Sequence, residues 1–350
     1  MARAASAAAV VALLAVAGCT SSGTGSHSPS PADSGTRQAS DPSPSPTKPA
    51  GPAAGIGTLG KFRTARYKIW FTEPAHTGPT GEHLGARRLL TVIRYPLAAA
   101  PAGTRRPARG PLPMIVFGPG FQQCDTPYRD LLKEWASAGY VVASVNFPES
   151  DCLAGSAATE SDMVNQPADM SYVITRMLAL SAAPHGLFAG SLSRREIAVS
   201  GQSDGGDTVA AVGANTCCTD RRVAAVAVLS GAEWPKMPGR FFASRPVPML
   251  FVQGSADTVN VPGCSAAMYR ADPAAQRYYL DLLGADHLKP YWGANAYERI
   301  VARVTVAFFN RFLLGHMSAG QAMIRHGNVA GLAEFLSHGH GSLPSGPCFT

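Results

Sequence analysis

Ile197-Ala198-Val199-Ser200-Gly201-Gln202-Ser203-Asp204-Gly205-Gly206 is the stretch that decides the fold. The short apolar run Ile197 to Ser200 reads as a strand buried on both faces, and the small-residue stretch from Gly205 to Ala214 reads as a helix. Ser203 then falls on the turn between them. Side chains at positions 201 and 205 would collide across so sharp a turn, which is a physical reason for glycine at both. A serine placed there projects its hydroxyl at a helix N-terminus, whose free N–H groups and dipole favour a developing negative charge. Gly-x-Ser-x-Gly by itself is a weak pattern; the strand-turn-helix setting gives it weight.

On both sides of this turn the chain alternates strand and helix patterns. Arg63 to Thr72 and Arg87 to Tyr95 alternate apolar and polar residues and suit an opening antiparallel pair. Continuous apolar runs follow at Met114 to Phe117, Tyr140 to Val145, Glu196 to Ser200, Val223 to Leu229, Pro248 to Gln253 and Arg277 to Leu280. Between them, helices are expected at Tyr128 to Ala138, Met163 to Leu180, Gly205 to Ala214, Gly263 to Arg270 and Ala294 to Leu314, with a helical patch near Gln321 to Phe335. This order predicts an α/β domain over residues 58–315, a mostly parallel central sheet with helices on both faces. Residues 316–350 are expected to form a tail that packs on it.

In such a sheet, ligands bind beyond the C-terminal ends of the strands. A serine hydroxyl needs a base to remove its proton and a carboxylate to orient that base. Asp257, in Gly254-Ser255-Ala256-Asp257, directly follows a buried strand, with Glu233 as the rival acid one strand earlier. His287, in Gly284-Ala285-Asp286-His287, lies in the loop before the long C-terminal helix; His316, His338 and His340 are worse placed. The order Ser203, Asp257, His287 is the one a nucleophile elbow requires. Two backbone N–H groups would hold the oxyanion: that of Asp204, and one from Phe117-Gly118-Pro119-Gly120-Phe121-Gln122, assigned to Phe121. The Asp204 carboxylate would oppose an oxyanion if it faced inward, so its side chain is expected to point away. Phe121 and Trp234 are candidate walls of the substrate site. The segment from Trp234 to Val247 is too short for a large lid, which predicts an open site.

With these motifs assembled, Arg87 to Leu314 resembles the α/β-hydrolases grouped around platelet-activating-factor acetylhydrolase, dienelactone hydrolase-like proteins, chlorophyllase and the cutinase-like polyester hydrolases. The features in common are Val92-Ile93-Arg94-Tyr95-Pro96, the strand and loop Pro113 to Phe121, the elbow Gln202 to Gly206, and the acid and histidine loops. The resemblance implies the α/β-hydrolase fold, with Ser203, Asp257 and His287 as catalytic triad and Phe121 and Asp204 as oxyanion donors. It implies hydrolysis of small or polymeric carboxylic esters without metal or organic cofactor. Gln202 and Asp204 depart from the many relatives with histidine before the serine and methionine or arginine after it. Dienelactone hydrolases proper use a cysteine nucleophile, so their substrate class is not implied.

The apolar run Ala7 to Ala17 is too short to span a bilayer and has the proportions of a signal peptide. Val16-Ala17-Gly18-Cys19 resembles the bacterial lipobox, which makes 1–18 an expected signal and Cys19 an expected lipidation site, with the enzyme on the extracytoplasmic face of a membrane. Thr20 to Gly57 is Ser, Pro, Gly, Thr and Ala with almost no large apolar residue, and reads as a tether. Six cysteines follow Cys19, an even number that favours disulfides in an exported chain. Cys217 and Cys218 are adjacent, where a mutual bond would be strained, and separate partners are expected. The net charge of +7 comes with no Lys/Arg stripe and no interleaved aromatics, which argues against nucleic acid and for a general attraction to anionic envelope polymers or lipids. The expectation is therefore a monomeric, membrane-tethered serine esterase. Its rivals are an acyltransferase to an envelope acceptor and a non-catalytic surface lipoprotein that keeps the fold for binding.

Overall fold

The computed structural model describes residues 53–99, 103–337 and 342–348. The expected signal, Cys19 and most of the expected tether lie outside the described residues.

Nine strands form one sheet: β1 (Thr64–Glu73), β2 (Arg87–Pro96), β3 (Leu112–Gly118), β4 (Val141–Asn146), β5 (Leu192–Gln202), β6 (Ala225–Leu229), β7 (Met249–Gly254), β8 (Arg277–Leu282) and β9 (Ala333–Ser337). Their order across the sheet is β1-β2-β4-β3-β5-β6-β7-β8-β9. The six from β3 to β8 run parallel, while β1, β2 and β9 pair antiparallel at the two margins. A two-residue ladder, His76–Thr77 on His83–Leu84, fills the turn between β1 and β2.

The central strands read as continuous apolar runs because successive side chains enter opposite cores. Met114 and Val116 of β3, Ile197 and Val199 of β5, and Val226 and Val228 of β6 face one core. Ile115, Phe117, Ala198, Ala225 and Ala227 face the other. The first core is closed by α2 (Gln166–Ala182), α3 (Asp204–Ala214) and α4 (Pro262–Ala271). The second is closed by α1 (Arg129–Ser137), α5 (Ala296–Phe312) and α6 (Ala319–Gly327). The result is a mixed α/β architecture with a large, mostly parallel sheet between two helical layers.

Three expectations change. The stretch expected as a helical patch from Gln321 to Phe335 divides: α6 ends at Gly327, and Ala333–Ser337 pairs antiparallel with β8. Phe335 stacks on Tyr278 at 5.8 Å, so the edge of the sheet supplies the apolar partner that local pattern could not reveal. The C-terminal stretch is thus part of the sheet rather than an appended tail. At the other end, Ala53 N–H donates to Arg109 O at 2.9 Å, so the folded body begins before Gly57. Finally, Cys217 and Cys218 bond to each other. Cys124 is joined to Cys152 and Cys264 to Cys348, which leaves the adjacent pair only one another among the described residues.

Candidate active site

Ser203 sits between β5 and α3 at φ 56° and ψ −127°, a left-handed backbone that an L residue holds only under constraint. The constraint is packing. A Cβ on Gly205 would overlap Gly118 O, and one on Gly201 would overlap Gly205 O, so the turn closes only with glycine at both positions. Ser203 N–H donates to Leu229 O at 3.0 Å, which locks the turn onto the end of β6.

The structure brings Ser203, His287 and Asp257 into one hydrogen-bonded chain. His287 Nε2 lies 2.9 Å from Ser203 Oγ, and His287 Nδ1 lies 2.7 Å from Asp257 Oδ2. A carboxylate beside Nδ1 holds the proton there and leaves Nε2 free to accept from the serine hydroxyl. Asp257 is itself held: its Oδ1 accepts from Val259 N–H at 2.9 Å and Asn260 N–H at 3.1 Å, and its Oδ2 from Gln253 Nε2 at 3.0 Å. Asp257 is 2 % exposed and His287 7 %, so the pair is shielded from water while Ser203 remains half-buried at the surface. Glu233 has no bond to His287, and burial raises its pKa. His316 follows α5, and His338 and His340 lie outside the described residues.

Gln202 contributes more than sequence reasoning assigned to it. Its Nε2 donates to His287 O at 3.1 Å and also lies 3.1 Å from His287 Nε2. Its Oε1 accepts from Tyr128 OH at 2.7 Å, and that hydroxyl in turn accepts from Gly120 N–H at 3.1 Å. The side chain that precedes the serine therefore links the histidine loop to the Gly118–Phe121 loop. Its polarity beside a buried run was the signal available in the sequence.

This link also sorts the backbone donors. Gly120 N–H is occupied by Tyr128, and Gln122 N–H donates to Ser150 O at 2.7 Å. Phe121 N–H, between them, meets no acceptor among the described residues, and Asp204 N–H, in the first turn of α3, meets only its own carboxyl. Neither expected donor is thus tied to another residue. The Asp204 side chain, expected to point away, does not escape into solvent: its Oδ2 is buried without a partner. Burial is the main cause, with the nearby Glu160 charge, that pushes its pKa up to about 7. Below that pH the carboxyl is protonated and opposes an oxyanion far less than a carboxylate would.

The Phe121 loop is fastened from below. The Cys124–Cys152 bond ties it to the segment after β4. There Ser150 Oγ donates to Asp162 Oδ2 at 3.0 Å and accepts from Gln166 Nε2 at 3.0 Å, and Gln166 Oε1 accepts from Thr208 Oγ1 of α3 at 2.5 Å. Arg87, at the start of β2, forks onto Asp169 at 2.8 and 2.7 Å and reaches Asp162 at 2.8 Å. Arg94, in the Val92–Pro96 strand, is paired with Asp125 at 2.7 Å in the same way.

The site is open. No helix or strand lies between Trp234 and Val247, and Leu153, Val259 and Leu288 are exposed on the loops that follow β4, β7 and β8. Trp234 is half-buried on the loop after β6, with the Lys236 ammonium 6.0 Å above its ring. Phe121 is half-buried after β3, at the same end of the sheet. Among the described residues no group of His, Cys, Asp and Glu side chains is arranged to hold a metal ion, and no helix is long and apolar enough to cross a membrane. No protein-family model matches this chain, and no curated protein matches it either.

Proposed function

We propose that this chain is a serine hydrolase of the α/β-hydrolase fold that cleaves carboxylic esters through an acyl-enzyme. The observation that carries the proposal is the Ser203–His287–Asp257 hydrogen-bond chain, raised on a left-handed turn at the C-terminal edge of a parallel sheet. In the proposed reaction Ser203 Oγ attacks the ester carbonyl while His287 Nε2 takes its proton. The tetrahedral oxyanion is held by Phe121 N–H and Asp204 N–H, each donor worth roughly 2.7 to 4 kcal/mol of transition-state stabilisation. His287 returns the proton to the leaving alcohol, and the same base then activates water to free Ser203. Asp257 orients His287 and stabilises the imidazolium. The open surface suits small esters and a polymer chain laid across it.

The resemblance of Arg87 to Leu314 to the esterase group supports this reading, as does the fact that neither N–H group is bonded to another residue while those of Gly120 and Gln122 are engaged. The lipobox-like Cys19 adds an extracytoplasmic, membrane-tethered location. The test is labelling with a fluorophosphonate probe. Wild-type protein should form a covalent adduct on Ser203 and hydrolyse p-nitrophenyl esters, and Ser203→Ala should do neither. Equal labelling of the Ser203→Ala protein would sink the proposal.

A further inference from the structure

Unpaired cations gather at one end of the sheet. Parallel strands begin at one end and Ser203 stands at the other; the length of β3, paired with β5 from Leu112 to Gly118, separates the two by about 20 Å. At the starting end, Lys61 and Arg63 precede β1, Arg106 and Arg109 lie between β2 and β3, and Arg194 and Arg195 open β5. All six are exposed, and none enters an ion pair among the described residues. Two hollows of about 680 and 890 Å³ adjoin there and share Ala108 and Arg109. Their walls carry Lys61, Arg63, Arg106, Arg109 and His185, and no acidic side chain. Around Ser203 the exposed loops carry both signs, Glu149, Glu160 and Asp286 with Lys236 and Lys289, and Glu149 is paired with Arg87.

The same basic end is where the chain enters the folded body. Ala53 bonds to Arg109 O, and Gly57 N–H donates to Ala138 O just before β4. Ala53, the first described residue and the one nearest Cys19 in sequence, thus lies at this end.

We infer that the basic end is a docking surface for an anionic lipid bilayer, its hollows receiving phosphate headgroups, and that it holds Ser203 facing away from that bilayer. Guanidinium forks fit phosphate oxygens, and acid-free walls leave them available. Lipid is favoured over a soluble polyanion because the described residue nearest in sequence to the expected acyl-bearing Cys19 lies at this face; in that respect the inference rests on the reading of Cys19. Each cation near a charged bilayer strengthens binding about fivefold, an effect confined to the Debye length. A surface held at this end therefore leaves the site free.

The test uses the full chain carrying Cys19→Ser, floated with phosphatidylcholine vesicles that contain or lack phosphatidylglycerol. The parent should be retained preferentially on the phosphatidylglycerol vesicles, and added salt should abolish the preference. Lys61→Gln, Arg63→Gln, Arg106→Gln and Arg109→Gln combined should lower retention on those vesicles by about a hundredfold or more. In the parent, hydrogen exchange over residues 103–111 and 184–191 should slow on anionic vesicles, a readout independent of whether the variant folds. Three results would each overturn the inference: equal retention on both vesicle types, unchanged retention of a folded quadruple variant, or a preference for soluble polyphosphate over phosphatidylglycerol. Palmitate incorporation into the exported wild type, and its loss in Cys19→Ser, tests the anchor separately.

Discussion

Two residues beside Ser203 carry predictions of opposite kinds. Asp204 is a carboxyl whose pKa is pushed up to about 7 by burial and the Glu160 charge, in the company of Asp207, Tyr128 and His287. A group whose folded pKa is raised stabilises the fold below its unfolded value, and that contribution is lost as pH rises from about 4 through 7. Asp204→Asn should therefore gain on the order of 2 kcal/mol relative to wild type between pH 5 and pH 8, measured by denaturant unfolding. An ionised Asp204 also opposes the oxyanion, so wild-type kcat should bend down above about pH 7 and the asparagine variant should not. A shared alkaline limb would show that Asp204 is not its source. Gln202 acts through its bonds to Tyr128 and His287. Gln202→Leu leaves the buried Tyr128 hydroxyl without its acceptor, which should cost about 1 to 3 kcal/mol of stability. It should lower kcat more than it raises KM, because the loops it joins carry the base and an oxyanion donor as well as the Phe121 ring. An unchanged kcat would remove Gln202 from this role.

At the scale of elements, the Phe121 loop depends on what lies under it. Reducing or replacing Cys124 and Cys152, 28 residues apart, frees a loop whose closure is worth about 3.5 kcal/mol in the chain-entropy account. The double serine variant should lower the unfolding free energy by about 2 to 4 kcal/mol and lower kcat, read by calorimetry and ester turnover. Arg87→Met isolates the other support. It strands Asp162 and Asp169 as buried carboxylates without their cation, at a cost of about 3 to 5 kcal/mol. Replacing Arg87 should be far more harmful than replacing exposed Arg88, and equal losses in the two variants would contradict the account. None of these supports was legible locally. Arg87 lies 75 residues from Asp162 and 82 from Asp169, and no pattern in either segment names the other.

For the whole molecule, the separation of about 20 Å between the basic end and Ser203 has a kinetic consequence. Protein docked on phosphatidylglycerol vesicles should hydrolyse a soluble ester within about twofold of the free rate, because the bilayer's field fades over roughly 10 Å. A large loss of turnover on binding would place the site against the bilayer instead.

What the sequence by itself determined is what short-range physics controls. The alternation of apolar runs and amphipathic stretches set the α/β class, and glycine at 201 and 205 set the turn that lifts Ser203, since both depend only on neighbours along the chain. The strand ends likewise placed Asp257 and His287 at one edge of the sheet. Only the tertiary structure decided which acid His287 meets, that Gln202 and Tyr128 bind the two loops together, and that Cys217 and Cys218 pair with each other. It also turned Ala333–Ser337 into a strand and gathered cations from separate loops into one end, although the sequence holds no basic stripe. Each of these depends on partners distant in sequence, whose meeting is fixed by sheet order and packing rather than by any local pattern.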